Sequence, residues 1–212
     1  MSNDKKSDKT EVKLVGNNLI YSGSINNEGA TAFQEKAYTF LDKFRKCMEI
    51  SNNGAEVGSD ADKKEKCTID TSKPLSIHIT SGGGKVAQGI AMMNTVEEIS
   101  QEIPTRCISK GFVGSAATYA AFSCTERCAG ANTQFLLHPP SKSGVSGQTD
   151  DLIVTAENSQ RTYDNILNIY HRKSRVDGSM PGINKVFKDN GYSSAHDMKR
   201  FGLIDRILEY RS

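Results

Sequence analysis

Between Leu75 and Phe122 this chain twice runs a strand-type apolar segment into a junction of small residues and then into a helical run. Leu75-Ser76-Ile77-His78-Ile79 alternates and enters Ser81-Gly82-Gly83-Gly84, and Val86 to Ile99 follows with Val86, Ile90, Met93, Val96 and Ile99 at helical spacings. Cys107-Ile108-Ser109 leads through Gly114-Ser115 into the alanine-rich run Ala116 to Phe122. This alternation restricts the chain to an α/β fold with parallel strands and crossover helices. The rest conforms. Leu14 to Tyr21 reads as strand, Gly-Asn turn, strand, and Ala30 to Met48 as a helix. Phe135-Leu136-Leu137-His138 is an apolar strand ending in histidine. Thr149 to His171 is a long amphipathic helix with Leu152, Ala156, Tyr163, Ile166, Leu167 and Tyr170 on one stripe. Short helices around Ile183–Phe187 and Ala195–Phe201 precede a final strand, Leu203 to Ile207.

A chain of 212 residues suits one domain with a real core. A formal net charge of +2 is too small for a nucleic-acid surface, and the absence of tryptophan disfavours a base-stacking platform. No apolar stretch reaches bilayer length, and the polar start Met1-Ser2-Asn3-Asp4-Lys5-Lys6 is no secretory signal, so a cytoplasmic location is expected. The five cysteines form no repeating framework. Cys124 and Cys128, one turn apart on a helix, read as buried thiols, since no second pair at zinc spacing makes them a metal site. Cys47 and Cys67 flank a polar loop, and nothing marks them as reactive. Residues 1–11 read as a disordered tail, 12–208 as one domain, and 51–71 as an exposed loop insertion.

Ser115 sits where a nucleophile is useful, between small residues at a strand-to-helix junction. Small neighbours let a carbonyl approach, and the first free N–H groups of the helix face the charge that develops on it. His138 is the candidate general base. The Ser81-Gly82-Gly83-Gly84-Lys85 run fits neither the spaced-glycine dinucleotide pattern nor the P-loop. It reads as a tight turn or as backbone N–H groups forming half of an oxyanion hole. His78 reads as a strand residue near the core, His171 as a cation at a helix end, and His196 as part of a polar segment.

Five blocks in register carry a family resemblance: Ile79 to Val86, Gly111 to Ala117, Leu136 to Pro140, Gly147 to Asp151, and Phe201 to Ile207. Together they resemble ClpP, the proteolytic subunit family of the Clp proteases. The resemblance implies the ClpP/crotonase-like superfold of repeated ββα units, with residues 141–173 as a protruding strand-helix handle that joins two rings. It implies a serine endopeptidase acting on unfolded polypeptides, with Ser115 as nucleophile, His138 as base, and the N–H groups of Gly84 and Ala116 as the oxyanion hole. It implies heptameric rings stacked as a tetradecamer, an AAA+ unfoldase as feeder, and no metal or organic cofactor. A catalytically weak ring subunit partnering an active ClpP-type paralogue and a crotonase-type acyl-CoA enzyme are the alternatives.

The chain departs from the pattern at the third triad position. The family's aspartate aligns with Asn190, and Asp189 precedes it where an arginine is common in the family. Asn190 orients His138 through its amide oxygen, or a one-residue shift gives Asp189 the role; unbroken downstream spacing favours Asn190. Gly82 replaces the family's proline, and Lys85 places a cation at a small or apolar position. The 51–71 loop is longer than its family equivalent, and the N-terminal segment lacks the apolar start of the axial gate.

Overall fold

The computed structural model describes residues 9–52, 67–141 and 146–209. A hairpin, β1 (Glu11–Val15) and β2 (Asn18–Ser22), opens the chain and leads to α1 (Asn27–Asn52). Asn26 starts that helix by accepting the Gly29 N–H on its side-chain oxygen at 2.8 Å. The helix buries Ala30, Phe33, Ala37, Phe40 and Leu41, one apolar stripe at three- and four-residue intervals. β3 (Leu75–Ser81), α2 (Val86–Ile99), β4 (Thr105–Gly114), α3 (Ala117–Ala121), β5 (Glu126–Gly130) and β6 (Gln134–Leu136) follow. The chain closes with α4 (Thr149–Lys173), α5 (Met180–Lys188), β7 (Tyr192–Ser194), α6 (Ala195–Arg200) and β8 (Arg206–Leu208).

The strands form one sheet in the order β1-β2-β3-β4-β5-β8, with β6 beside β4 and β7 beside β6. The β2–β3, β3–β4, β4–β5, β4–β6 and β5–β8 pairs are parallel, as the strand–helix alternation requires. β4 is a fork. Its first half, Arg106–Ser109, pairs with β5, and its second half, Phe112–Gly114, pairs with β6. Between the halves lies Gly111 at φ +62°, a left-handed turn that glycine adopts without penalty. The fork carries the chain away from the main sheet and sets Ser115 beyond the end of its second arm.

Several elements differ from the sequence reading: the final strand, read as Leu203 to Ile207, is β8 at Arg206–Leu208, and the strand read as ending in His138 ends at Leu136. β5 has no counterpart in that reading, and Cys128 therefore lies in a strand rather than on a helix. Cys124 lies past the end of α3 and is bonded to Cys107 of β4, while Cys47 is bonded to Cys67. Four of the five cysteines are thus paired rather than free, and Cys128 is the free one among the described residues. Burial, with Glu126 nearby, pushes the Cys128 thiol up to about 11, which suppresses its thiolate. β7 likewise has no counterpart in the sequence pattern. At the N-terminus Glu11, assigned to the tail, is the first residue of β1. The loop assigned to 51–71 falls largely on residues 53–66, outside the described part, as do residues 142–145 of the handle region.

Only the far end of α4 is anchored: Ile166, Ile169 and Tyr170 are its buried residues, whereas Leu152, Ile153 and Val154 near its start are exposed. An ion cluster built on the buried Arg127 braces the region beyond it. Arg127, 1% exposed, donates through Nε and Nη2 to the Asp205 carboxylate and through Nη1 to the Lys173 carbonyl. Arg175 adds a bond of 2.9 Å to the same carboxylate. No described helix is long and apolar enough to cross a membrane.

Candidate active site

Ser115 leaves β4 at φ +52°, a conformation that costs a non-glycine residue about 1–2 kcal/mol. Hydrogen bonds hold it there. Its N–H donates to the Leu136 carbonyl at 2.7 Å, and its carbonyl accepts from the Thr118 N–H at 3.0 Å and the Thr118 hydroxyl at 2.6 Å. The serine is half-buried at the sheet's edge.

The glycine loop is packed against it. A Cβ on Gly83 (φ +98°) would lie 2.6 Å from Ser115 Cβ and 3.1 Å from the Ala116 nitrogen, so only glycine lets these backbones meet. Gly84 is held from the other side by Ile25, whose N–H donates to the Gly83 carbonyl at 2.8 Å and whose carbonyl accepts from the Lys85 N–H at 2.9 Å. That bridge leaves the Gly84 N–H unused. Among the described residues neither the Gly84 nor the Ala116 N–H has a backbone acceptor. Lys85, read as a cation near the site, directs its ammonium to the Asn27 side-chain oxygen at 3.2 Å.

His138 follows β6 by two residues and is half-buried. The Gly114–Leu136 pairing of β4 with β6 brings it to the same edge of the sheet as Ser115. On its other side β6 pairs antiparallel with β7, with Leu136 opposite Tyr192, and the Leu137 N–H donates to the Gly191 carbonyl at 3.4 Å. Extended one step past that contact, the register would put His138 across from Asn190, which lies outside β7. Asp189 points elsewhere, its carboxylate paired with Lys185 at 3.0 Å. Among the described residues the Ser115 hydroxyl, the His138 ring and the Asn190 amide share no hydrogen bond with one another. The β4–β6 and β6–β7 pairings bring the three segments to neighbouring positions at one edge of the sheet.

Asn190, like Ser115, has φ +52°, for an ordinary reason. It follows the end of α5, where its N–H donates to Phe187 and the Gly191 N–H to Val186, a Schellman cap in which asparagine is the usual substitute for glycine. Of the other histidines, His78 is half-buried in β3 against Asn18 and held below its usual range by burial and Lys110, and His171 contacts Asn184. Ile25, Thr118 and Tyr170 escaped the sequence reading as site residues; all three act through backbone or buried hydroxyl contacts that carry no motif. A surface cavity of about 400 Å³ runs along the glycine loop, lined by Ser22, Thr80, Ser81, Gly82 and Phe112 among others.

The mixed α/β sheet with its forked central strand is that of the ClpP fold. The family model described as Clp protease matches residues 67–211. The chain belongs to the Clp protease family. It is similar to ATP-dependent Clp protease proteolytic subunit 1 of Rhodococcus jostii, 27% identical over 144 residues that cover 68% of this chain and 64% of that protein. It is also similar to proteolytic subunit 2 of Prochlorococcus marinus, 29% identical over 68% of this chain and 70% of that protein. Subunit 3 of Synechococcus sp. (strain CC9605) is 29% identical over 66% of this chain and 70% of that protein. The chain thus spans under two thirds of the Rhodococcus relative's length.

Proposed function

We propose that this chain is a serine-type endopeptidase subunit that cleaves unfolded polypeptide inside an oligomeric chamber. The observation that carries the proposal is the left-handed Ser115, seated against a glycine loop with two uncommitted N–H groups, on the sheet edge that also bears His138. His138 takes the Ser115 proton as Oγ attacks the scissile carbonyl. The Gly84 and Ala116 N–H groups hold the oxyanion, and water then releases the acyl-enzyme. Asn190 orients the imidazole through its amide oxygen. An amide stabilises imidazolium less than a carboxylate does, so turnover is slow.

The similarity to proteolytic subunits of ATP-dependent proteases extends this reading to stacked heptameric rings, a feeding AAA+ unfoldase and a cytoplasmic setting. The two disulfides pull against the last of these, because disulfides persist mainly in oxidising compartments. A second reading, a ring subunit serving an active ClpP-type paralogue, is favoured by one observation: no carboxylate stands at the register position opposite His138.

A fluorophosphonate probe tests the proposal on the purified chain. It should label Ser115 and be lost in Ser115→Ala, with native mass giving a ring assembly. Well-formed rings that stay unlabelled would shift the assignment to the structural role, and tight coenzyme A binding would shift it to a crotonase-type enzyme.

A further inference from the structure

The Thr118 hydroxyl is completely buried, and it has a single proton. That proton is directed at the Ser115 carbonyl at 2.6 Å. The 2.8 Å contact between Thr118 Oγ1 and Tyr170 Oη is therefore donated by the tyrosine. Tyr170 is itself completely buried, and burial together with Tyr119 nearby keeps its phenol protonated throughout the physiological range. A relay of two hydroxyls thus runs from the anchored end of α4 to the Ser115 backbone.

What the relay grips is one peptide plane. The Ser115 carbonyl and the Ala116 N–H belong to the same trans peptide, so they point in opposite directions and turn together. Fixing the carbonyl aims the N–H. The Thr118 N–H bond alone leaves that plane a single tether. The hydroxyl supplies a second from another direction, and Tyr170 holds the hydroxyl in that rotamer.

We propose that Tyr170 is a positioning residue for the oxyanion hole: its hydroxyl, donating to Thr118, locks the Ser115–Ala116 peptide and couples the anchor of helix α4 to the aim of the Ala116 N–H. The inference rests on the peptidase reading above. It gives α4 a role at the reaction centre through its buried end, separate from anything its exposed end contacts.

The test compares Tyr170→Phe, Thr118→Val, Thr118→Ser and the double variant that combines Tyr170→Phe with Thr118→Val on a short peptide, with folding monitored by thermal melting. In Tyr170→Phe kcat should fall roughly tenfold with KM unchanged, well short of the ~100-fold or more that loss of an oxyanion donor brings. Thr118→Val should match it, Thr118→Ser should retain near-normal kcat, and the double variant should be no worse than Thr118→Val. Unchanged kcat in Tyr170→Phe, or losses that multiply in the double variant, overturns the coupling while leaving the peptidase reading intact. A wild type that the fluorophosphonate fails to label overturns the peptidase reading. The coupling is then decided by hydrogen exchange at the Ala116 amide, which should quicken in Tyr170→Phe, and unchanged exchange overturns it.

Discussion

At single residues the site is governed by where a Cβ is tolerated and where a carboxylate is missing. Gly83 is the strictest position. Alanine there meets Ser115 Cβ at 2.6 Å and the Gly114 carbonyl at 2.7 Å in a backbone conformation that L-residues avoid. Gly83→Ala should destabilise the fold by roughly 1–3 kcal/mol and remove fluorophosphonate labelling, read by chemical melting and by the probe. Asn190→Asp has the opposite sign. A carboxylate opposite His138 should raise kcat on a short peptide about tenfold or more while leaving KM unchanged. Equal activity in the two forms, together with loss of activity in Asp189→Ala, would return the third role to Asp189. Ser115 and His138 stand out in the sequence because nucleophile and base chemistry demands residue types, and the β4–β6 pairing places their segments side by side. Asn190 is reached in the sequence through spacing to the downstream family block; the β6–β7 ladder ends at Leu136–Tyr192, two residues short of it. Thr118 and Tyr170 were not legible as a pair: a hydroxyl that serves a carbonyl leaves no trace in hydrophobic periodicity.

Among the elements, α2 begins and ends where its apolar stripe predicts, at Val86 and Ile99. A one-sided helix announces itself. β5 did not, because four of its five residues are buried, and a strand covered on both faces shows no alternation to separate it from a helix. β7, three polar or aromatic residues long, is below the reach of any periodicity. The cysteine pairs were missed for a related reason. Cys107–Cys124 joins a strand to the end of a helix across 17 residues, and only the packing of α3 on β4 brings the sulfurs together. Mass spectrometry after alkylation under denaturing, non-reducing conditions should find one modified cysteine, Cys128, and five after reduction. The ion cluster behind β5 has its own signature. Burial alone would raise the Asp205 carboxyl, but its bonds to Arg127, with the charges of Arg127 and Arg175, outweigh that and hold it below the usual range. A carboxyl lowered by folding adds stability that is complete above the unfolded value of about 3.9 and is lost as pH falls through the folded one. Asp205→Asn should therefore flatten the acid limb of the stability profile. It should also cost about 3 kcal/mol at neutral pH, because Arg127 is left buried without its counter-charge.

At the scale of the whole molecule, α4 leaves Leu152, Ile153 and Val154 in solvent on a helix whose opposite end is firmly seated. The handle reading assigns these exposed apolar side chains to a second ring. Ile153→Asp should shift native mass from a stacked assembly to smaller species without lowering the melting temperature of the subunit, and an unchanged mass would remove α4 from the ring contact. The fold class was legible from the order of strands and helices alone; the fork in β4 was not, since one continuous run of residues serves two different neighbours. One brace reaches across the boundary of family likeness. The family match begins at residue 67, yet the wall behind the glycine loop is Ile25, well upstream. A recombinant fragment trimmed to the recognisable segment would lose that buttress and leave Gly83 to Lys85 free to sag, so inertness in such a fragment would reflect the trimming and not the full chain.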